Sequence, residues 1–385
     1  LLEKKQNKNT LENGLEMKIA VNAISKNEEQ FVDRFCASAA DADLILIADT
    51  GSTDGTVARA RRHPKTVVHE ICISPWRFDL ARNAAIALLP KDIDIVISLD
   101  LDEVLELGWR QEIERVWKEN TTRLRYKFDW GCGISFFYEK IFSRHGYRFH
   151  HPVHEYPRPD GRIEEVYAHS DMLLVSHLPD PTKSRGQYLD LLRLAVKEDP
   201  HCPRNAFYFA RELTFYSKWG EAAVALLKYL DNPKADWPNE RCYAMRLLGK
   251  AYDALQQPAE ALEWYKQACA EAPNTREPWH DLALAYHNRQ DWGGCLTAAA
   301  KGLTIENKQL VYTCDPRVWE EPLYDLASIA AWHLDLKEEA LAYCETAAKM
   351  APNDGRIAAN LLKMKAEMEQ CQNSEQTEPN ELLAT

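Results

Sequence analysis

DIDIVISLDLDEVLE, residues 92–106, runs from an apolar strand-like segment straight into three carboxylates, Asp100, Asp102 and Glu103. Upstream of it the same kind of apolar run recurs as KIAVNAI, DLILIAD and TVVHEICI. Each is separated from the next by an amphipathic stretch: EQFVDRFCASAA, DGTVARARR and DLARNAAIALL. Strands alternating with helical patterns predict βαβ units and a largely parallel sheet covered on both faces, from Met17 to about residue 180. Downstream of Asp180 the strand signals stop and the chain reads as helical to residue 370.

The helical half repeats with a period of 34. From Cys242, the residues Leu248, Gly249, Tyr252, Ala261, Tyr265, Ala268 and Pro273 take the small, aromatic and helix-ending positions of a tetratricopeptide unit. One period later Trp279, Leu282, Ala283, Tyr286 and Cys295 do the same. A further unit near Glu321 carries Tyr324, Ala340, Ala347 and Pro352, and a weaker one, residues 203–233, carries Phe209, Ala210 and Ala222. Small residues let the helices of a hairpin approach and aromatics fill the holes between neighbours, so three or four hairpins are expected, interrupted by an insertion over residues 308–320. The expected domains are therefore a polar extension (1–16, with Met17 read as the natural start), an α/β domain (17–180), an all-α repeat domain (181–370) and a disordered tail (371–385).

With 385 residues, 45% hydrophobic and 28% charged, the chain is long enough for two or three packed domains and too apolar for wholesale disorder. Its net charge of −12 speaks against a generally nucleic-acid-binding surface, leaving open one local basic groove. Ten cysteines with no CxxC pair argue against a zinc ribbon and for reduced, mostly buried thiols. No apolar run approaches the roughly 18 residues of a membrane span, residues 1–16 lack the apolar core of a secretory signal, and a cytoplasmic location is expected.

Three constellations carry candidate chemistry. In ADTGSTDGT, residues 48–56, Asp49 ends a strand as a candidate acceptor for a base or ribose, Gly51 and Gly55 allow tight turns, and Thr53 or Asp54 can cap the next helix. In ISLDLDEVLE, alternation along an extended chain puts Asp100 and Asp102 on one face, where both can meet a hard cation that also bridges a diphosphate. In HHPVHEYPRPDG, residues 150–161, Glu155 is a candidate general base. His177 and His154 compete as a metal ligand, while His150, His151 and His169 read as packing or solvent-facing residues. Between the last two constellations, residues 121–149 interleave Arg123, Arg125, Lys127, Lys140, Arg144 and Arg148 with nine aromatic residues. The pattern suits binding of a sugar, a phosphate-bearing glycan or an extruded base, and equally a β-rich wall with aromatics inside.

NAISKNEE, DTGSTDGT, Trp76 with FDLARN, and LDLDE stand in the order and at about the spacings of family 2 glycosyltransferases of the GT-A fold, which the chain resembles over residues 18–177. The whole resembles a bacterial and phage subgroup in which that domain precedes tetratricopeptide repeats, and some members of which glycosylate peptides. The resemblance implies a Rossmann-like GT-A catalytic domain followed by the repeats. It implies that the strand-end segment 24–28, with Ile24, Lys26 and Glu28, and Asp49, with Gly51, Ser52 and Asp54, hold the nucleotide, that Arg82 faces the diphosphate with Asp100 and Leu101, that Asp100, Asp102 and His177 hold Mn2+ or Mg2+, and that Glu155, in a VHE-like element, is the base that takes the acceptor's proton in an inverting transfer. The donor implied is a nucleotide-diphosphate sugar, favouring a UDP-sugar and inversion. The acceptor is a protein or peptide, a surface glycan or a modified nucleic acid base. A non-catalytic scaffold is the reading from another class, and the repeats leave a homodimer open.

Overall fold

The computed structural model describes residues 17–180 and 186–375, and the expected extension, 1–16, lies outside the described residues. Two compact units result. The first is built on an eight-stranded sheet in the order β3-β2-β1-β4-β7-β6-β10-β5. Its parallel half is β1 (Ile19–Ser25), β2 (Leu44–Asp49), β3 (Thr66–Glu70) and β4 (Ile95–Asp100), with α1 (Glu29–Ser38), α2 (Thr56–Ala60) and α3 (Phe78–Ala87) as the crossovers. These are the alternating segments that the sequence predicts.

The expectation of a largely parallel sheet fails beyond β4. The other half consists of β5 (Glu103–Leu105), β6 (Arg123–Gly131), β7 (Ile134–Ser143) and β10 (Tyr167–His177). In it β7 runs antiparallel to β4 and β10 antiparallel to β5. Strands joined by two residues, as β6 and β7 are, can only pair antiparallel. Helix α4 (Trp109–Val116) follows β5, and β8 (Tyr147–His150) pairs with β9 (Tyr156–Pro159) in a separate ribbon.

Alternation sorts the core. Ala20, Ile24, Leu46, Ala48, Val96 and Phe142 cluster with Ala81, Ala85 and Ile86 of α3, while the opposite-phase Val21, Ala23, Ile45, Ile47, Ile95 and Ile97 are buried as well. The parallel strands are thus covered on both faces, as their continuous apolar composition requires. Much of the basic and aromatic band is this core: Tyr126, Phe128, Phe142, Tyr147 and Phe149 are all buried.

The second unit takes in residues 129–136 and 152–154 together with the helices. After α5 (Tyr188–Glu198) come four hairpins: α6 (Pro203–Phe215) with α7 (Trp219–Leu230), α8 (Pro238–Ala254) with α9 (Pro258–Glu271), α10 (Arg276–Asn288) with α11 (Trp292–Leu303), and α12 (Pro322–His333) with α13 (Lys337–Met350). Helix α14 (Gly355–Glu375) closes the series. It corrects the tail boundary, since residues 371–375 continue the helix, and residues 376–385 lie outside the described set. The insertion lies along the first helices of the hairpins: Tyr312 packs on Tyr208 and Trp237, Asn239 donates to Gln309, and the Asp315 amide donates to Glu277. Cys36, Cys242, Cys269, Cys295, Cys314 and Cys344 are buried, in keeping with small core residues.

Gly249 is where the repeat signature has a direct steric cause. A Cβ there would stand 2.5 Å from Cε1 of Tyr265. An exposed helical Gly→Ala change gains about 1 kcal/mol. Gly249→Ala is expected instead to cost about 1–3 kcal/mol by overpacking. Urea unfolding of the variant measures it, and a gain would mean that α8 and α9 are not in this contact.

Candidate functional site

The loops after β1 and β2 brace each other at the carboxyl edge of the sheet. The Asn27 amide donates to Ser52 Oγ at 2.8 Å and Asn27 Oδ1 accepts from the Thr53 amide at 2.7 Å. The Glu28 amide donates to Thr56 Oγ1, the Glu29 amide to Asp54, and the Gly55 amide to Glu29. Asn27 holds this shelf at φ 55°, a left-handed conformation that asparagine tolerates.

Asp49 is the keystone of the shelf. It is 1% exposed and accepts from the Gly51 and Ser52 amides at 3.0 and 2.8 Å and from the hydroxyls of Ser25 and Ser52. Burial works against its charge, but these hydrogen bonds outweigh it and hold the carboxyl below the usual range. Its oxygens thus order the turn that follows β2. Asp54 accepts from the amide and hydroxyl of Thr56, the first residue of the five-residue α2, whose N-cap is Gly55. Of the other predicted nucleotide-binding positions, Lys26 and Gly51 are exposed and Glu28 is buried. Ile24 and Leu101 point into the core, which leaves only their backbone for a ligand.

The charged centre is assembled by α3, β4, β5, β7 and the residue preceding β9. Helix α3 is pinned to β8 by Asn83, whose side chain exchanges two 2.9 Å hydrogen bonds with the Phe149 backbone. The next residue back, Arg82, is 2% exposed and donates from Nη2 to Asp100 at 2.5 Å, from Nε to Glu155, and from Nη1 to the Leu99 carbonyl at 3.3 Å. Burial disfavours its charge, but Asp100 and Glu155 reverse that and hold the guanidinium firmly protonated.

Two residues not predicted as ligands complete the centre. Lys140, which reads in sequence as part of the acceptor band, is 4% exposed and bonds Glu103 at 3.1 Å and Asp100 at 3.4 Å. Those two carboxylates overcome its burial and keep it charged. Glu103, 2% exposed, also accepts from the Asp100 amide at 3.0 Å; burial pushes its carboxyl up against the pull of Lys140.

Asp100 and Asp102 do not share a face by strand alternation. Strand β4 ends at Asp100, and Leu101 and Asp102 form a turn into β5. Pairing of β5 with β10, Glu103 opposite His177, then brings His177 to Asp102, with Nε2 3.5 Å from Oδ2. Burial lowers the pKa of His177, but the hydrogen bond and charge of Asp102 outweigh that and raise it above 6.5.

The predicted three-ligand set is therefore divided. Asp102 and His177 are 3.5 Å apart, about the edge of a coordination shell with bonds of roughly 2.1 Å, so they fit one divalent ion. Asp100 instead faces Arg82 and Lys140. Among the described residues no group of three or more His, Cys, Asp or Glu side chains is placed to hold a metal. His154, the competing ligand, is stacked on Tyr208 at 4.1 Å in the helical unit. His151 packs on Tyr156, and His169 lies beside Asp171 and Phe137.

Comparison with known proteins finds one family match, within the helical unit. The tetratricopeptide repeat matches residues 245–275, spanning most of α8 and α9, so the chain carries such a repeat. Similar solved structures include MamA, at 16% identity over 44% of this chain and 83% of that one, TM-score 0.34. Another is YrrB, described as a TPR protein with an unusual peptide-binding site, at 18% identity over 46% and 83%, TM-score 0.36. A thermophilic TPR protein of Thermus thermophilus matches at 18% identity over 47% and 92%, TM-score 0.33. No curated protein matches the chain. Among the described residues no helix is long and apolar enough to cross a membrane.

Proposed function

We propose that the sheet unit is a metal-dependent GT-A-type glycosyltransferase domain that moves a sugar from a nucleotide-diphosphate sugar, and that the repeats recognise a protein or peptide acceptor. The observation that carries the reading is the imbalance of the charged centre. Three carboxylates, Asp100, Glu103 and Glu155, converge on two fixed cations, Arg82 and Lys140, and a fourth, Asp102, stands beside them against His177. Surplus negative charge in a largely buried cluster at the carboxyl edge of parallel strands favours a divalent cation and the phosphates it carries. When bound, Mn2+ or Mg2+ would neutralise charge developing on the departing diphosphate. Asp102 and His177 are the residues that would hold it. Arg82 orients Glu155 through its Oε1, and the other oxygen is left to take the acceptor's proton.

A scaffold without catalysis is the reading that the repeat match favours, and the engagement of Asp49 and Asp100 by groups of the chain itself agrees with it. Thermal denaturation with a panel of nucleoside diphosphates, with and without MnCl2, separates the two. The enzyme reading expects one diphosphate, in the presence of manganese only, to raise the melting temperature by about 5–10 °C at a hundredfold excess over Kd. No response to any diphosphate would leave the scaffold.

A further inference from the structure

The ribbon of β8 and β9 sets two arginines directly across from one another. Its register pairs Tyr147 with Pro159, Arg148 with Arg158, Phe149 with Pro157 and His150 with Tyr156. Proline has no N–H to give, so Pro157 and Pro159 take the non-hydrogen-bonded positions of the ladder. Arg148 and Arg158 are then a hydrogen-bonded pair, with Cα atoms about 5.5 Å apart. The same phase continues at the end of the ribbon, where the Asp160 amide donates to the Gly146 carbonyl at 2.9 Å.

Alternation divides the two faces. Tyr147, Phe149 and Pro157 are buried, the first two in the cluster beneath α3. Arg148 and Arg158 share the other face, and both are exposed. Neither guanidinium is in an ion pair or a side-chain hydrogen bond among the described residues. The neighbouring carboxylates are committed elsewhere: Asp79 accepts from Arg77 at 3.0 and 2.9 Å, and Asp160 accepts from Arg162 at 2.8 Å. His150, on the same face as Arg148, registers the resulting field. Burial, then Arg158 and Arg148, push its pKa below 6.5 against the pull of Asp79.

Like charges placed directly opposite each other weaken a pair of strands, and the arrangement persists in a chain whose net charge is −12. The arginines are also held from behind. Asn83 fixes the Phe149 backbone, and the Pro157 carbonyl accepts from Arg123. Two guanidiniums without a counter-charge on a fixed platform are preorganised to receive an oxyanion.

We infer that the outer face of the β8–β9 ribbon is a binding site for a phosphate monoester, with Arg148 and Arg158 donating to its oxygens and His150 at its edge. A monoester carries nearly two negative charges at neutral pH and three terminal oxygens, which two guanidiniums match in charge and in donors. One guanidinium suffices for a carboxylate. A polyanion fits less well, since its track of charges would meet two cations and an otherwise acidic chain. The site stands apart from the proposed sugar transfer and does not depend on it. A phosphorylated side chain of a partner protein and free phosphate share this chemistry.

The test is calorimetric titration of the full chain at constant ionic strength. The probes are a capped peptide with one phosphoserine, the same peptide with glutamate or serine at that place, inorganic phosphate, and a short single-stranded oligothymidylate. The phosphoserine peptide is expected to bind at least about tenfold more tightly than the glutamate and serine peptides. Arg148→Gln and Arg158→Gln should each weaken that binding by about tenfold or more. Both variants should melt at or above the wild-type temperature without ligand, because each relieves the repulsion between the strands. Inorganic phosphate that binds as tightly as the phosphopeptide would identify free phosphate as the source, and weaker binding would identify a phosphorylated partner. A wild-type chain that binds neither phosphopeptide nor phosphate would overturn the inference, as would equal affinity for the glutamate peptide or wild-type affinity in both variants. Tighter binding of the oligothymidylate, falling steeply with salt, would overturn it in favour of a nucleic acid. None of these results touches the manganese-dependent stabilisation by a diphosphate that tests the sugar transfer.

Discussion

Replacing Arg82 by methionine is expected to lower the melting temperature of the sheet unit by about 6–12 °C, whether or not the chain is an enzyme. The Arg82 and Glu155 side chains are 3% and 8% exposed, and removing the guanidinium leaves the carboxylate with no counter-charge in a region that water hardly reaches. Breaking such a buried pair from one side costs at least about 3 kcal/mol. In a unit of this size each kcal/mol shifts melting by about 2–4 °C. The Asp100 arm is discounted because that side chain is 40% exposed and water screens it. The double variant Arg82→Met with Glu155→Leu should recover much of the loss, since two apolar groups of similar size need no counter-charge. A single-variant loss under 2 °C would mean that the pair is solvated and that α3 does not position Glu155 through it.

The repeats were legible because their signature is steric. Gly249 must be small for Tyr265 to fit, and a 34-residue period records that requirement locally. The parallel half of the sheet was legible for a similar reason: its strands are buried on both faces and its helices are amphipathic, patterns each contained within about ten residues. What the sequence concealed is long-range. Lys140 meets Glu103 across 37 residues and Arg82 meets Glu155 across 73, and nothing local distinguishes a buried, paired cation from a solvated one. The pattern of the basic and aromatic band therefore fits a binding surface and an inward-facing wall equally; five of its nine aromatic residues prove to be buried, and Lys140 belongs to the charged centre.

Asp49 illustrates the same limit at short range. A carboxylate at a strand end followed by Thr, Gly and Ser can face a ligand or its own loop, and the pattern alone does not foretell that Asp49 accepts from the Gly51 and Ser52 amides.

Asp102→Asn is expected to reduce transfer by about 100-fold or more and to abolish its dependence on manganese, if the proposed reaction takes place. The substitution is nearly isosteric, and the backbone bond from the Leu178 amide to the Asp102 carbonyl is untouched, so the fold should persist. What changes is charge. Burial alone would push His177 below its usual pKa, and Asp102 is the first partner that raises it. With a neutral amide at position 102 the imidazole should titrate lower, which an NMR titration in the presence of a chelator reads directly. The sign for stability follows. A histidine whose folded pKa is raised contributes fully below about 6.5 and loses that contribution as pH rises through the raised value. Asp102→Asn should therefore destabilise the metal-free chain more at pH 5 than at pH 8. Full, manganese-dependent transfer in this variant would take Asp102 out of the mechanism, and an unchanged His177 titration would take it out of the electrostatics as well.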